Sequence, residues 1–342
     1  MHLASYICYT TQLYILIHLL IFLEHLKMAN IVSLLFIMGM AMTCFEIGVG
    51  NAALTMNYYK FSCPLVDSVV KKNVQRALND DPTLAAGLVR MHFHDCFIQG
   101  CDGSVLIDST ADNTAEKDSV PNLSLRGFEI IDTIKEDLEN KCPGVVSCAD
   151  LLAMAAREAI SFVGGPKYHI PNGRKDARRS KLEDTFNLPS PALNASHLIR
   201  NFRKQGFSAN EMVTLSGAHT LGVAQCMFFK QRLIKKDPTL DSQLAKTLSE
   251  TCRLGDNAEH PLDASGMHFD NSYFKSLTSN RGVLASDQTL YTSLKTKNIV
   301  QNYAINQTLF FSEFKKAMIK MSLLNVKEGS EGEVRKNCRK IN

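Results

Sequence analysis

The chain has 342 residues, 45% of them hydrophobic, and a formal net charge of +4. That is ample apolar material for a core, as one large domain or two lobes. The charge is too small to argue for nucleic acid, since no basic block is interleaved with aromatics, and Arg335, Lys336, Arg339 and Lys340 read as a solvated tail.

Residues 1–53 hold two apolar runs, 13–23 and 31–42, separated by Glu24, His25 and Lys27. Both fall short of the roughly 20 residues that a membrane-spanning helix needs. The second run, led by Met28 and followed by small residues Gly50 and Ala52, reads as a signal peptide over residues 1–52, with cleavage near Ala52 or Ala53. Met28 is an alternative start; an uncleaved anchor built from both runs is the competing reading. Residues 53–342 then form a single domain. Ten cysteines are many for a reducing compartment. With Cys8 and Cys44 set aside in the leader, eight remain, an even number that suits four disulfides in a secreted protein.

Ser62 and Pro64 open a helix whose Val66, Val69, Val70, Val74 and Leu78 recur at helical spacing, and Asp80-Asp81-Pro82 ends it. The most informative stretch follows, residues 81–104. Asp81 is a good N-cap and Pro82 a good first helical residue, with Leu84, Leu88 and Met91 on the core face. Arg90 and His94, four apart, are neighbours on another face, flanked by Phe93 and Phe97, while His92 points the other way and reads as structural. A guanidinium beside an imidazole favours the neutral ring, ready to accept a proton. Asp95, Asp102 and Ser104 then supply hard oxygens, Gly100 and Gly103 permit tight turns, and Cys96 and Cys101 close a short loop around them. Together with backbone carbonyls this suits calcium, although not with EF-hand spacing. Zinc is the weaker reading, there being no HExxH.

Residues 111–126 are loop-like. A helix over 128–140 is amphipathic through Ile130, Ile131, Ile134 and Leu138. Another starts at Ser147, with Asp150 three positions on in a capping-box-like pair, and stops at Gly164-Gly165-Pro166. Residues 167–180 have no helical period and carry an Asn172-Gly173 turn, which predicts a small hairpin. Pro189 lies in a proline-rich turn. A helix over 194–205 closes at Gly206, and Ser208 with Glu211 forms a capping box for the segment that leads to His219. Helices are predicted over 226–233, 241–251 and 312–325. Between them lie an oxygen-rich loop, 263–270, and Asp287, which alone would read as a helix cap. Asn122, Asn194 and Asn306 each begin a glycosylation sequon. No internal repeat or inter-domain linker is evident, so the chain reads as one mostly α-helical unit of two lobes.

The string HFHDCFxxGCDxS at residues 92–104 resembles the distal-site signature of the secretory (class III) plant peroxidases, haem enzymes that use hydrogen peroxide. LSGAHTLG at residues 215–222 resembles their proximal signature. The resemblance implies a mostly α, two-lobed haem-peroxidase fold with one haem b between the lobes, two calcium ions and a minor β-hairpin. It selects the pairs Cys63–Cys142, Cys96–Cys101, Cys148–Cys338 and Cys226–Cys252. It implies His94 as acid–base catalyst, Arg90 as the group that stabilises developing charge, and Asn122 as the acceptor that sets the His94 tautomer. His219 becomes the axial ligand, with Asp287 accepting its ring N–H and Phe93 and Leu221 beside the haem. Asp95, Ile98, Gly100, Asp102 and Ser104, with Glu116 through water, become the first calcium site; Thr220, Asp263, Ser265 and Asp270 the second. Pro189 marks the edge where small aromatic donors dock.

A side chain turned into a pocket also makes Asn122 a poor glycan acceptor. The chain departs from the family pattern in having one residue fewer between Asn122 and Arg126, one fewer between Asp263 and Asp270 than many members, and no tryptophan. The implied partners are hydrogen peroxide and phenolic donors. Neither nucleic acid nor, after signal cleavage, a membrane is expected, and the protein is expected to be a monomer secreted to the cell wall, with the vacuole open. Two rivals are weighed against this. A non-enzymatic calcium- or haem-binding protein has no need of Arg90, His94, Asn122 and Asp287 together. A hydrolase using His92, His94 and Asp95 as metal ligands must join histidines about 200° apart on a helix.

Overall fold

The valine stripe and Leu78 form the buried face of α1 (Val66–Asp80). The structure, a computed structural model, describes residues 54–342; the leader reading of residues 1–52, with Met28, lies outside the described residues. The distal helix α2 (Leu84–Ile98) begins two residues later than Pro82. The Asp81 carboxylate accepts from the Thr83 backbone at 3.0 Å and pairs with Arg126 at 2.7 Å, which keeps residues 81–83 in a turn outside the helix. α3 (Phe128–Glu139) and α1 both pack on α4 (Cys148–Phe162), the most completely buried helix, and α2 crosses it on another side. Ser147 caps α4, accepting from the Asp150 N–H at 3.1 Å. The reciprocal half of a capping box is not made, because the Asp150 carboxylate is committed to Tyr59, Gly173 and Arg174.

The second half begins with α5 (Ala195–Lys204), capped by Asn194, and α6 (Ala209–Ser216), whose Ser208/Glu211 capping box is complete. Phe97 of α2 meets Phe202 and Phe207 at ring-centre distances of 4.8 and 5.7 Å, joining the two halves through aromatic packing. Then come β1 (Val223–Gln225), α7 (Cys226–Ile234), α8 (Ser242–Cys252) and β2 (Glu259–Pro261). β1 and β2 pair antiparallel with Ala224 opposite His260. α7 and α8 cover a small satellite core around Phe229 and Leu248. The chain finishes with α9 (Ser272–Thr278), α10 (Ala285–Thr292), α11 (Lys297–Ile305) and α12 (Gln307–Met321). The first three were not legible as helices, being short and rich in Ser, Thr, Asn and Lys. α12 starts five residues earlier than predicted because Asn306 caps it. Among the described residues no helix is long and apolar enough to cross a membrane.

The four disulfides are the pairs implied by the resemblance. Two expectations are corrected. Residues 167–180 do not fold back as a hairpin: Asn172 bridges to Thr55, Lys175 to Lys327 and Asp176 to Glu333. Buried Asp150 takes the Gly173 and Arg174 backbone N–H groups, so the turn directs the chain toward the C-terminal segment instead of back on itself. The basic tail is not uniformly solvated either. Arg335 is fully buried and donates to the Gly103 carbonyl at 2.6 Å, and Arg339 pairs with Asp132 at 2.6 Å.

Arg174 and Asp150 form an ion pair at 2.7 Å with neither side chain exposed. Removing one partner of such a pair strands the other charge, so Asp150→Ala should lose about 3–5 kcal/mol in denaturant unfolding. Asp67→Ala, which removes a mostly exposed partner of Arg157, should stay within about 0.5 kcal/mol. Equal losses at the two positions would show that the buried pair does not hold this layer together.

Candidate active site

α2 turns Arg90 and His94 to one side, as their spacing predicts. His94 is buried, with Nδ1 2.5 Å from Asn122 Oδ1. The Asn122 amide nitrogen donates to the Glu116 carbonyl at 2.8 Å, which fixes the amide so that its oxygen faces the ring. His94 Nδ1 therefore carries the hydrogen, and Nε2 is left as an acceptor. Burial, reinforced by the Arg90 charge, pulls the imidazole down to about 3, so it is neutral across the physiological range. Arg90 donates to the Pro121 carbonyl at 2.7 Å and the Ser124 hydroxyl at 3.0 Å. Burial lowers its guanidinium to about 10, still cationic at neutral pH. The shortened loop thus still delivers Asn122 to His94, and its other carbonyl and hydroxyl groups hold Arg90. Sequence reading did not find those partners, since a loop carbonyl leaves no residue-type signal.

His92 lies on the opposite face, buried, with Nδ1 3.6 Å from Cys96 Sγ, and burial beside Arg174 lowers it to about 3. His92, Asp95 and Cys96 form a close trio, but that sulfur is bonded to Cys101 and offers no thiolate. The hydrolase reading finds no support here.

The α6 capping box leads through a tight turn, Gly217–Thr220, to His219. His219 Nδ1 sits 2.8 Å from Asp287 Oδ1, and Asp287 is carried on α10 and not in a loop. Burial lowers the His219 basicity, but the Asp287 charge and hydrogen bond outweigh it, and the net shift is upward. The charge of Arg90, from the first half of the chain, acts on the same ring in the lowering sense. The His219 side chain is 41% accessible. Gly222, at φ +88°, lies against Ala86 of α2, where a Cβ would approach within 2.9 Å. The end of this turn thus packs closely against α2. Phe93 is half-buried, 5.8 Å from the His94 ring centre, and Leu221 is buried in the core. Tyr273, which no sequence signal singled out, donates its hydroxyl to Asp287 Oδ1 at 3.0 Å.

Asp95, Asp102, Ser104 and Glu116 are all buried. Asp95 Oδ1 and Glu116 Oε1 have no partner among the described residues. Burial and then Asp102 raise the Asp95 carboxyl well above the usual range, and burial followed by Asp95 pushes Glu116 up to about 9. Lys327, 3.1 Å from Asp102, is a nearby counter-charge. The Ile98 carbonyl accepts from the Asn187 amide at 2.9 Å, and the Gly100 carbonyl from the Asp102 N–H at 2.8 Å. A second oxygen cluster surrounds the Thr220 hydroxyl, with Asp263 at 2.6 Å, Asp270 at 3.2 Å and Ser265 at 3.4 Å. The shorter spacing does not keep Asp263 away from this cluster. Pro189 is half-buried in a loop tied to α10 by the Ser286 N–H donating to the Pro191 carbonyl at 3.0 Å.

A family model described as Peroxidase matches residues 70–306, a span that includes Arg90, His94, Asn122, His219 and Asp287. The chain belongs to the peroxidase family, in its secretory plant (class III) branch. It is similar to Peroxidase 47 of Arabidopsis thaliana, at 60% identity over 92% of this chain and 96% of that protein. Peroxidase 64 of Arabidopsis thaliana is 44% identical over 87% of this chain and 96% of its own length. Peroxidase 5 of Vitis vinifera is 46% identical over 85% and 92% respectively.

Asn122 is 1% exposed and both ends of its amide are hydrogen-bonded, whereas Asn194 and Asn306 are exposed caps. Peptide mapping of secreted protein should find Asn122 unmodified even where Asn194 or Asn306 carries glycan. A glycan on Asn122 would place its amide outside the pocket.

Proposed function

We propose that this protein is a secreted haem peroxidase, a donor:hydrogen-peroxide oxidoreductase that reduces hydrogen peroxide to water with electrons taken singly from phenolic or other small aromatic donors. The observation that carries the reading is the pairing of two oriented histidines: His94, beside Arg90 on α2, commits Nδ1 to Asn122, and His219 commits Nδ1 to Asp287, so that each keeps Nε2 available. One haem b fits the residues present. His219 has Nδ1 committed and Nε2 unassigned, and 41% of its side chain is accessible. Phe93 and Leu221 supply apolar contact. Haem, when bound, supplies the redox chemistry, passing two electrons to peroxide and recovering them from donors.

His94, neutral and oriented by Asn122, accepts a proton from one peroxide oxygen and returns it to the other, which departs as water. Arg90, held by Pro121 and Ser124, keeps a fixed positive charge where negative charge develops; one such donor is worth on the order of 3 kcal/mol. Asp287 accepts the His219 ring hydrogen and raises the basicity of that ring. The donor edge lies at Pro189, on the loop fastened to α10. A mere binder of haem or calcium has no use for the neutral base, the fixed charge and the polarised ligand together.

Two calcium ions complete the reading. Asp95, Asp102 and Ser104, with the Ile98 and Gly100 carbonyls and Glu116 through water, take the first, which would satisfy the stranded Asp95 and Glu116 oxygens. Thr220, Asp263, Ser265 and Asp270 take the second, one residue from His219. The leader, residues 1–52, directs export to the cell wall or the vacuole, and residues 53–342 act as a single monomeric haem-peroxidase domain.

An absorption spectrum of the purified protein tests the central reading: a Soret band that changes on adding peroxide is expected. His94→Ala should retain that band while its reaction with peroxide slows by roughly 10²–10⁴-fold in stopped flow. A rate equal to that of the unmodified protein would assign the proton transfer elsewhere. Chelation of calcium should lower the melting temperature by roughly 4–5 °C for each site, corresponding to about 2.7 kcal/mol for a ligand at a hundred times its Kd, and added calcium should restore it. An unchanged melting temperature in chelator would argue against occupied calcium sites.

A further inference from the structure

Tyr273 is a buried ionisable residue to which the mechanism above gives no task. It lies on α9, 1% exposed, with its ring edge-on to His219 at a centre distance of 6.0 Å. Its hydroxyl donates to Asp287 Oδ1 at 3.0 Å, the same oxygen that His219 Nδ1 approaches at 2.8 Å. The other carboxylate oxygen, Oδ2, is buried with no partner among the described residues. A phenol that needed only an acceptor would be served as well by Oδ2. At Oδ1 its hydrogen bond is coupled to that of the histidine.

We propose that Tyr273 is a positioning residue that limits how strongly Asp287 polarises His219, by sharing the one carboxylate oxygen that both donors use. Each donor withdraws electron density from the acceptor, so a second one weakens the bond made by the first. With the phenol in place, the His219 ring keeps more of its hydrogen and passes less electron density to a bound iron. Outer-shell hydrogen bonds of this kind orient metal ligands and set their basicity, and through it the reduction potential. The Tyr273 ring also packs edge-on against Phe274, 5.0 Å away. The inference rests on the reading of His219 as the haem ligand.

The test uses the haem-loaded protein and two readouts other than turnover: the ferric/ferrous midpoint potential and the iron–histidine stretching band of the ferrous form in resonance Raman. Tyr273→Phe keeps the ring and removes the competitor. The equilibrium constant for reduction should fall about tenfold, which is about 59 mV more negative for one electron, and the stretching band should rise in frequency. Replacing Tyr273 with 3-fluorotyrosine, a more acidic and therefore stronger donor, should move both readouts the opposite way, and it decides the question should the phenylalanine variant fold poorly. Readouts that do not move, or that move in the same direction in both variants, overturn the inference. Absence of an iron–histidine band in the unmodified ferrous protein overturns the reading of His219 and this inference with it; a band that is present but unmoved overturns this inference alone.

Discussion

His94 and His219 each commit Nδ1 to an oxygen, Asn122 for one and Asp287 for the other, and each is thereby left with Nε2 as its working nitrogen. The two acceptors differ in charge, and the difference sets the chemistry. A neutral amide beside a cationic arginine, in a buried position, leaves His94 unprotonated and ready to take a proton. A carboxylate beside the other ring makes it electron-rich, the property wanted in a metal ligand. Much of the surrounding structure serves to hold these two acceptors in place.

The Asn122 amide is oriented by the Glu116 carbonyl, and the Glu116 side chain bonds Ser104 at 3.1 Å within the first oxygen cluster. That cluster is in turn clamped from outside: Arg335 holds the Gly103 carbonyl, and Asp176 receives the backbone N–H groups of Arg335, Cys148 and Ala149. Cys148–Cys338 ties the same two regions covalently. The C-terminal segment is thus a strap across the distal half, linked through buried hydrogen bonds to the position of His94. Buried carboxylates are tolerable in this arrangement because backbone N–H groups, arginines and, in the proposed holoprotein, a divalent cation compensate them.

Most of the longer helices were legible because their apolar periodicity and caps agree: the Val66–Leu78 stripe, Ser147, Asn194, and the Ser208/Glu211 box. The site was legible where chemistry is concentrated in adjacent residues, as in 90–104 and 215–222. The failures have a common cause. Asn172-Gly173 looks like a hairpin turn locally, yet the backbone donors that would close it are taken by Asp150, 22 residues before it on α4. Arg335 looks like a tail residue, yet a carbonyl more than two hundred residues earlier receives it. α9, α10 and α11 lack a strong apolar period because their helicity comes from packing on one another.

Residue order alone was sufficient to single out the candidate site: a histidine beside an arginine on one helix, a second histidine after a capped helix, hard oxygens within short glycine-bearing loops, and cysteines in an even number. Those properties depend on spacing along the chain, which local backbone geometry converts directly into shared faces and turns. Only the folded structure decided which distant group occupies each second valence: Asn122 on His94, Pro121 and Ser124 on Arg90, Tyr273 with His219 on a single oxygen of Asp287, and Arg335 on Gly103. Buried polar groups must find partners wherever the packing offers them, and packing is a property of the whole chain.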